Sequence, residues 1–168
     1  MSDNGICLQP ARPEDVGDIV AFIRELAEYE KLSHEMRATE AEMTQWLFGD
    51  RPAAEVVIAR IGAQAVGFAL YFTSFSTFLG RPGIYLEDLF VRPAFRGKGV
   101  GSALLRHLAD IASERGYGRL EWAVLDWNEP AIRFYEQMGA MAMDEWTTYR
   151  VTGRSLEVMA RSRDSRVQ

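Results

Sequence analysis

Two adjacent carboxylates, Glu87 and Asp88, interrupt an otherwise apolar run of strand length at residues 85–91. Such a run predicts a strand covered on both faces, so charged groups within it require a reason. A carboxylate in this position can accept the proton that an amine must lose before it attacks an acyl group. Neighbouring side chains of a strand point to opposite faces unless a bulge intervenes, so we expect only one to reach a substrate. Ion pairing of the two carboxylates with Arg92 or Arg96 is the competing interpretation.

A glycine-rich basic turn follows this strand, after Pro93 has ended it. The turn and the first turn of the next predicted helix consist of Arg96, Gly97, Lys98, Gly99, Val100, Gly101 and Ser102. The glycines allow backbone N–H groups to approach a ligand closely, and the helix N-terminus and two cations add positive potential. We therefore expect a pyrophosphate here, and a plain tight entry into the helix is the alternative. The motifs of the P-loop and of dinucleotide-binding proteins do not match.

Composition limits the kinds of partner. The 168 residues, 48% of them hydrophobic, fit a single domain spanning residues 1–168. A net charge of −5 argues against a nucleic-acid surface and suits a small cationic substrate. The single cysteine, Cys7, excludes an internal disulfide, and no run has membrane-spanning or signal-peptide form, so we expect a cytoplasmic protein that binds no membrane. His34 and His107 offer no metal-ligand spacing, so no metal is expected.

The pattern of apolar residues predicts an α/β fold with the order β-α-α-β-β-β-α-β-α-β and a mixed sheet in which the Glu87 strand is central. The predicted strands are residues 6–9, 55–60, 65–75, 85–91, 120–125 and 146–151. The predicted helices end near Tyr29, follow a capping box at Thr39, run to Arg115, and run from the N-cap Asn128 to Gly139. Residues 76–83 are expected to be a loop, the element at 155–160 has no predicted type, and the tail from Arg161 is expected to be disordered.

The segment Arg96-x-x-Gly99-x-Gly101 resembles the acetyl-CoA-binding motif of the GNAT superfamily of N-acetyltransferases, Arg/Gln-x-x-Gly-x-Gly/Ala between a strand and a helix. Within the superfamily the chain looks most like the diamine and thialysine N-acetyltransferases related to spermidine/spermine acetyltransferase. The residues that carry this likeness are 25–30, 85–88, 96–102, 124–128, 134–135 and 139–140. The resemblance implies the GNAT fold, a mixed and mostly antiparallel central sheet flanked by helices, and acetyl-CoA as cosubstrate.

The resemblance also implies catalytic roles. A lysine-like amine has a pKa of about 10.4, so its deprotonation at pH 7 costs about 4–5 kcal/mol. The resemblance implies that Glu87 is the general base that accepts this proton. Tyr135, seven residues after Asn128, matches the general acid that protonates the leaving thiolate, although a core aromatic is the alternative for its position on the helix. Backbone N–H groups of Leu89, Phe90 and Val91 would hold the thioester carbonyl. A second cofactor contact is implied for Asn128, Glu129, Pro130 and Ala131, where a simple helix cap is the alternative.

The acceptor pocket implied by the resemblance is lined by Tyr29, Glu30, Glu87, Glu121, Trp122 and Ala123. Glu28 and Glu30 lie at the end of a helix, where their charges oppose the helix dipole, so a role for one of them with a ligand is one interpretation and a solvated helix face is the alternative. The loop at residues 75–81 looks more like the thialysine branch than the polyamine branch, and Arg81 would meet the carboxylate of a lysine-like amino acid.

The expected activity is acetyl-CoA-dependent N-acetylation of a small primary amine by direct attack on the thioester. A protein or peptide N-acetyltransferase and a non-catalytic acetyl-CoA sensor or interaction protein are the alternatives. The related enzymes suggest a homodimer, for which Trp146 and Tyr149 would supply the interface.

Overall fold

The structure, a computed structural model, describes residues 5–161. Within them the strands are β1 (Ile6–Pro10), β2 (Glu55–Ile61), β3 (Gln64–Ser76), β4 (Arg81–Val91) and β5 (Leu120–Trp122). The helices are α1 (Val16–Tyr29), α2 (Glu40–Phe48), α3 (Val100–Glu114), α4 (Glu129–Gln137) and α5 (Gly153–Arg161). The chain divides into two compact units, Met1–Ile132 and Arg133–Gln168, and the first contains the whole sheet. The single domain over residues 1–168 stays a prediction.

The sheet has the strand order β1-β2-β3-β4-β5. Its first four strands pair antiparallel, and β4 pairs with β5 in parallel. This confirms the predicted mixed, mostly antiparallel sheet flanked by helices. The prediction that the Glu87 strand is central was wrong, because β3 occupies the middle of the five described strands and β4 lies between β3 and β5.

One face of the sheet is covered by α1 and α2. Their residues Ile19, Phe22 and Leu47 pack with Val56 and Ile58 of β2, Ala65, Phe68 and Leu70 of β3 and Phe90 of β4. The rings of Phe22 and Phe68 stack with centroids 5.3 Å apart. Burial of each such side chain contributes about 1.5–3 kcal/mol, so this cluster fixes α1 against β3 and β4.

The opposite face is covered by α3. Its apolar residues Val100, Leu104, Leu105, Leu108 and Ala112 are buried, and none belongs to the cluster under α1. The strand residues that alternate with that cluster, such as Val57 and Val66, are buried as well. Both faces of β2 and of the first half of β3 are therefore covered.

Two strand boundaries differ from the prediction. The segment at residues 76–83, expected to be a loop, is a hairpin whose ladder continues to the pair Ser76 and Arg81, so only four residues form the turn. The strand expected at 120–125 is shorter and ends at Trp122, where pairing with β4 stops. No local sequence pattern marks either strand end, because each depends on how far a neighbouring strand stays in register.

The second unit contains the largest error of the sequence analysis. Residues 146–151, predicted to be a strand, have no strand structure in the described chain, and Trp146 and Tyr149 are 74% and 90% exposed. The segment is rich in aromatic and β-branched residues, which is typical of a strand, but a strand needs a partner to form a ladder. The element of unassigned type is α5, which includes Arg161 of the expected tail. The remaining tail residues, 162–168, lie outside the described residues. No helix within residues 5–161 has the length and apolar character to cross a membrane.

Candidate active site

The glycine-rich turn joins β4 to α3 in the predicted place. A short 3-10 turn, Pro93–Phe95, follows β4, and Gly97 and Gly99 then adopt φ of +72° and +86°. These left-handed conformations disfavour residues with a Cβ atom. Gly99 is the N-cap of α3 and has no side chain to satisfy the helix's first N–H groups. Donors and the positive end of the helix dipole are therefore available to an anion at this turn.

The strands β4 and β5 stop pairing before β4 reaches this turn. Pairing between β4 and β5 comprises Ile84 with Leu120, Tyr85 with Glu121 and Leu86 with Trp122, and it goes no further. Beyond Leu86, β4 is paired only with β3, where Leu89, Phe90 and Val91 lie opposite Ala69, Phe68 and Gly67. Within the described chain, this stretch of β4 consequently has a backbone edge with no strand partner. This unpaired edge, called the opening below, contains Leu89, Phe90 and Val91, the residues predicted to hold the thioester carbonyl.

A β-bulge lies where the opening begins. In the pairing of β3 with β4, Tyr71 lies opposite Leu86 and Leu70 lies opposite Asp88, so Glu87 is an extra residue. Tyr85 and Asp88 pair with residues two apart on β3 and therefore share one face of the sheet, the face covered by α1. Glu87 follows Tyr85 by two residues and lies near both, because its charge raises the pKa of each.

The bulge bears on the expectation for the two carboxylates and makes Asp88 a candidate beside Glu87. Their side chains were expected on opposite faces unless a bulge intervened, and a bulge does intervene, so the alternation of the strand no longer separates them. The adjacency of Glu87 and Asp88 was the available signal. The bulge itself has no local signature, since it depends on the register with β3.

Four carboxylates, those of Glu30, Glu87, Asp88 and Glu121, lie in or near the bulge. Burial, followed by the charges of Glu87 and Glu30, raises the pKa of Asp88 to about 7. Burial also raises the pKa of Glu30. The pKa of Tyr85 is raised by burial and then by the charges of Glu87 and Glu121. Glu87 and Glu30 are close enough to Asp88 to raise its pKa, so these three carboxylates form a site suited to an ammonium group, whereas Glu121 is paired with Arg119.

The ion pairs of the competing interpretation are not formed among the described contacts. Arg92 contacts Glu25 instead, with its Nη2 at 2.8 Å from Oε1, and its Nη1 donates to the carbonyl of Ala65. The Nε of Arg96 donates to the carbonyl of Val91 at 2.9 Å. Among the described contacts neither arginine pairs with Glu87 or Asp88, so the negative charge remains available for a substrate.

Asp88→Asn is expected to stabilise the folded chain at high pH. Because the folded pKa of Asp88 is raised, the folded state keeps a proton that the unfolded state has released, and stability falls as pH rises from about 4 to about 7. The asparagine variant lacks this loss, so its gain is small near pH 4 and reaches about 1–3 kcal/mol above pH 7, after allowance for partial exposure. Urea unfolding of both proteins at pH 4 and pH 8 measures it. The same pH slope in both would show that Asp88 ionises normally.

Of the other residues predicted to line the substrate pocket, Glu121, Trp122 and Ala123 lie on or directly after β5, and Tyr29 lies at the end of α1. Glu121 lies on β5 opposite Tyr85, and its Oε1 is 2.8 Å from Nε of Arg119. Trp122 ends β5, and Ala123 follows it in an exposed position. Tyr29 does not join the carboxylates among the described contacts, because its hydroxyl donates to Oδ1 of Asn128 at 3.1 Å.

Asn128 is the buried N-terminal residue before α4. Its Oδ1 accepts from the backbone N–H of Ala131 at 3.4 Å, which confirms the predicted cap, and it also accepts from Tyr29. Glu129, Pro130 and Ala131 form the first turn of α4. The residue is only 7% exposed, and through these two hydrogen bonds it links Tyr29 to the first turn of α4.

Tyr135 lies in the second unit, in the last part of α4. Its ring centroid is 5.3 Å from that of Phe134, and its carbonyl accepts from the N–H of Ala140. Gly139 adopts φ of +90° and ends the helical segment, as predicted. The role of Tyr135 as general acid stays a prediction. Within the described residues, no group of three or more His, Cys, Asp or Glu side chains is arranged to hold a metal ion.

Comparison with known proteins identifies relatives of this chain. Residues 18–140 match the model of the acetyltransferase (GNAT) family. The thialysine N-epsilon-acetyltransferase of Mus musculus is 37% identical over 164 residues, which cover 91% of this chain and 96% of that protein. An L-ornithine N5-acetyltransferase of Arabidopsis thaliana is 33% identical over 194 residues, covering 89% of this chain and 85% of that protein. An integron cassette protein from the mobile metagenome of V. cholerae has a similar solved structure, with a TM-score of 0.79 and 29% identity over 94% of this chain and 99% of that one.

Proposed function

The chain belongs to the GNAT family and is an N-acetyltransferase, and we propose that it transfers an acetyl group from acetyl-CoA to the side-chain amine of a small lysine-like amino acid. The observation that carries the proposal is the opening between β4 and β5 at the Glu87 bulge. One stretch of backbone there joins a partnerless strand edge, a cluster of carboxylates and, a few residues later, the glycine-rich turn.

The residues present fit acetyl-CoA, which would supply the activated thioester. The N–H groups at the start of α3, with the charges of Arg96 and Lys98, suit the diphosphate. The edge of β4 from Leu89 to Val91 offers backbone groups to the pantetheine arm and to the thioester carbonyl. Asn128, at the N-terminus of α4, is the proposed second contact. These assignments are supported by the partnerless strand edge and by the N-terminus of α3.

The carboxylate cluster would bind the amine as an ammonium ion and take its proton. Glu87, which the structure leaves exposed, is the proposed base that meets the amine. Asp88, with a pKa of about 7, holds a proton more readily than an ordinary carboxylate and is the proposed group that retains it. Tyr135 is the proposed acid that protonates the departing sulfur.

A lysine-like substrate is supported by the names of the relatives, which act on thialysine and L-ornithine. Both are small basic amino acids, with a terminal amine for the carboxylates and a carboxylate for a cation. Arg81, at the exposed start of β4 beside the hairpin turn, is the proposed partner of that carboxylate. Comparing kcat/KM for thialysine, lysine, ornithine, spermidine and a lysine-containing peptide tests the assignment. We expect the amino acids to be preferred, whereas a clear preference for spermidine or the peptide would overturn it.

Arg96→Ala is expected to weaken acetyl-CoA binding about tenfold or more, since charge-assisted hydrogen bonds typically contribute about 1.5–3 kcal/mol. The variant also loses the contact with the Val91 carbonyl at the partnerless edge. Calorimetric titration with coenzyme A measures the change. Arg106→Ala, which removes an exposed cation farther along α3, is the matched control. Equal affinities of the two variants would exclude Arg96 from the diphosphate site.

We further propose that the protein is a homodimer and acts in the cytoplasm. Trp146 and Tyr149 of the second unit are largely exposed, as are Met141 and Met143. Exposed apolar clusters of this kind are typical of surfaces that another chain covers. Light scattering should give twice the chain mass of 19.0 kDa, and a value of 19.0 kDa at micromolar concentration would contradict the dimer.

A further inference from the structure

The C-terminal end of α1 is fastened to the segment that precedes α4. The hydroxyl of Tyr29 donates to Oδ1 of Asn128 at 3.1 Å, and its ring centroid is 6.1 Å from that of Trp127. Nζ of Lys31 lies 5.3 Å from the centroid of the same tryptophan ring. Three separate contacts therefore join two segments that are about 100 residues apart in the sequence.

The same tyrosine contacts the glycine-rich turn. The guanidinium of Arg96 lies 4.8 Å from the ring centroid of Tyr29 and 5.5 Å from that of Phe90. Its Nε is held by the carbonyl of Val91. Tyr29 thus contacts both Asn128 and Arg96, two side chains proposed to meet acetyl-CoA. The sequence predicts Tyr29 in the substrate pocket, whereas these two contacts are with residues proposed for the cofactor site.

The end of α1 is closed by a residue in the left-handed conformation. The N–H of Leu32 bonds to the carbonyl of Ala27 and the N–H of Lys31 to that of Glu28, the pattern that closes a helix with a left-handed residue. That residue is Lys31, with φ of +61°, the one non-glycine residue with positive φ in the described chain. Glycine is favoured at this position in helices generally. The ammonium of Lys31 lies over the ring of Trp127, and this cation–π contact is a reason for a lysine to stand where glycine is usual.

The residue after Tyr29 faces the carboxylate cluster. Glu30 is the C-cap of α1, and its charge acts on Asp88. Tyr29 and Glu30 are rigidly connected through the backbone of one helical turn. Whatever fixes the ring of Tyr29 therefore also fixes the position of Glu30 beside the amine.

We propose that Tyr29 is a positioning residue that couples the two substrates: binding of the cofactor to Asn128 and Arg96 fixes the Tyr29 ring, which sets Glu30 in place for the amine. This inference rests on the proposed function, since it needs both substrates to bind. The amine consequently binds more tightly to the cofactor-bound enzyme than to the free enzyme. By linkage, the amine strengthens cofactor binding by the same factor.

The test measures this coupling factor by calorimetry. Coenzyme A, which lacks the acetyl group and permits no turnover, and thialysine are the probes. Thialysine is titrated into the wild type with and without saturating coenzyme A, and coenzyme A with and without saturating thialysine. Tyr29→Phe removes the hydrogen bond to Asn128 and keeps the ring under Arg96. Tyr117→Phe is the matched control, because it removes a tyrosine hydroxyl that contacts Thr73 at 3.2 Å and touches none of the proposed site residues.

We expect coenzyme A to tighten thialysine binding at least about fivefold in the wild type and in Tyr117→Phe, and by a factor near one in Tyr29→Phe. A purely structural tyrosine would lower the melting temperature and leave this ratio unchanged. Binding of both probes with the same ratio in Tyr29→Phe and wild type, or a wild-type ratio of one, would overturn the coupling and leave the proposed function intact. Absence of coenzyme A binding to the wild type would instead remove the proposed function, and the coupling with it.

Discussion

Replacing Tyr135 by phenylalanine is expected to lower kcat by about 100- to 10,000-fold, the range that general acid–base groups contribute. A tyrosine has a reference pKa of about 10, so this residue type can supply at neutral pH the proton that the departing thiolate needs. Phenylalanine keeps the ring and its packing beside Phe134 and removes only the hydroxyl. Release of free thiol measures kcat, and calorimetry measures the affinity for coenzyme A, which should change less than about threefold.

Tyr117→Phe serves as the control for loss of a tyrosine hydroxyl elsewhere in the chain, and its kcat should match the wild type. Equal kcat for the wild type and Tyr135→Phe would remove Tyr135 from the chemistry. A loss of coenzyme A affinity that accounts for the whole effect would assign the residue to binding.

Replacing Glu87 by glutamine is expected to lower kcat/KM by about 100- to 10,000-fold at pH 7. A lysine-like amine is almost fully protonated at that pH, so the reaction depends on a group that takes the proton. The difference in kcat/KM between the variant and the wild type should shrink as the pH approaches the amine pKa of about 10.4, because the amine is then increasingly neutral before it binds. A pH profile of kcat/KM between pH 6 and pH 10 measures both effects.

Glu114→Gln, an exposed carboxylate on α3, is the control for loss of one negative charge. A ratio of wild type to Glu87→Gln that stays constant across the pH range would count against a base role for Glu87. Combining Glu87→Gln with Asp88→Asn separates the two carboxylates. If they act on one proton, the double variant should lose little more activity than the more damaging single variant.

Features set by neighbouring residues were predicted well from the sequence. The capping box at the start of α2 is present, with the N–H of Glu42 donating to Oγ1 of Thr39 and the N–H of Thr39 to Oε2 of Glu42. The glycine-rich turn lies between β4 and α3, and Asn128 caps α4. In each case the residues that form the structure lie within one or two turns of one another, so their types and spacing determine it.

Features set by pairing between distant segments were not predicted. The bulge at Glu87 depends on the register between β3 and β4, and the shortness of β5 depends on where β4 turns away. Residues 146–151 have a strand-like composition and no ladder within the described chain. The contact of Tyr29 with Asn128 joins positions 99 residues apart, and no local pattern indicates it. These are the features that determine which candidate residues meet.

The central claim is that the turn after β4 and the partnerless edge of β4 hold acetyl-CoA. Equilibrium dialysis of the purified chain against radiolabelled acetyl-CoA, without any amine, measures this directly. We expect one binding site per chain, with Kd between about 1 μM and 1 mM, the range typical of enzyme substrates. Equal concentrations of label on both sides of the membrane, with protein and acetyl-CoA both at millimolar concentration, would contradict the claim and the reaction derived from it.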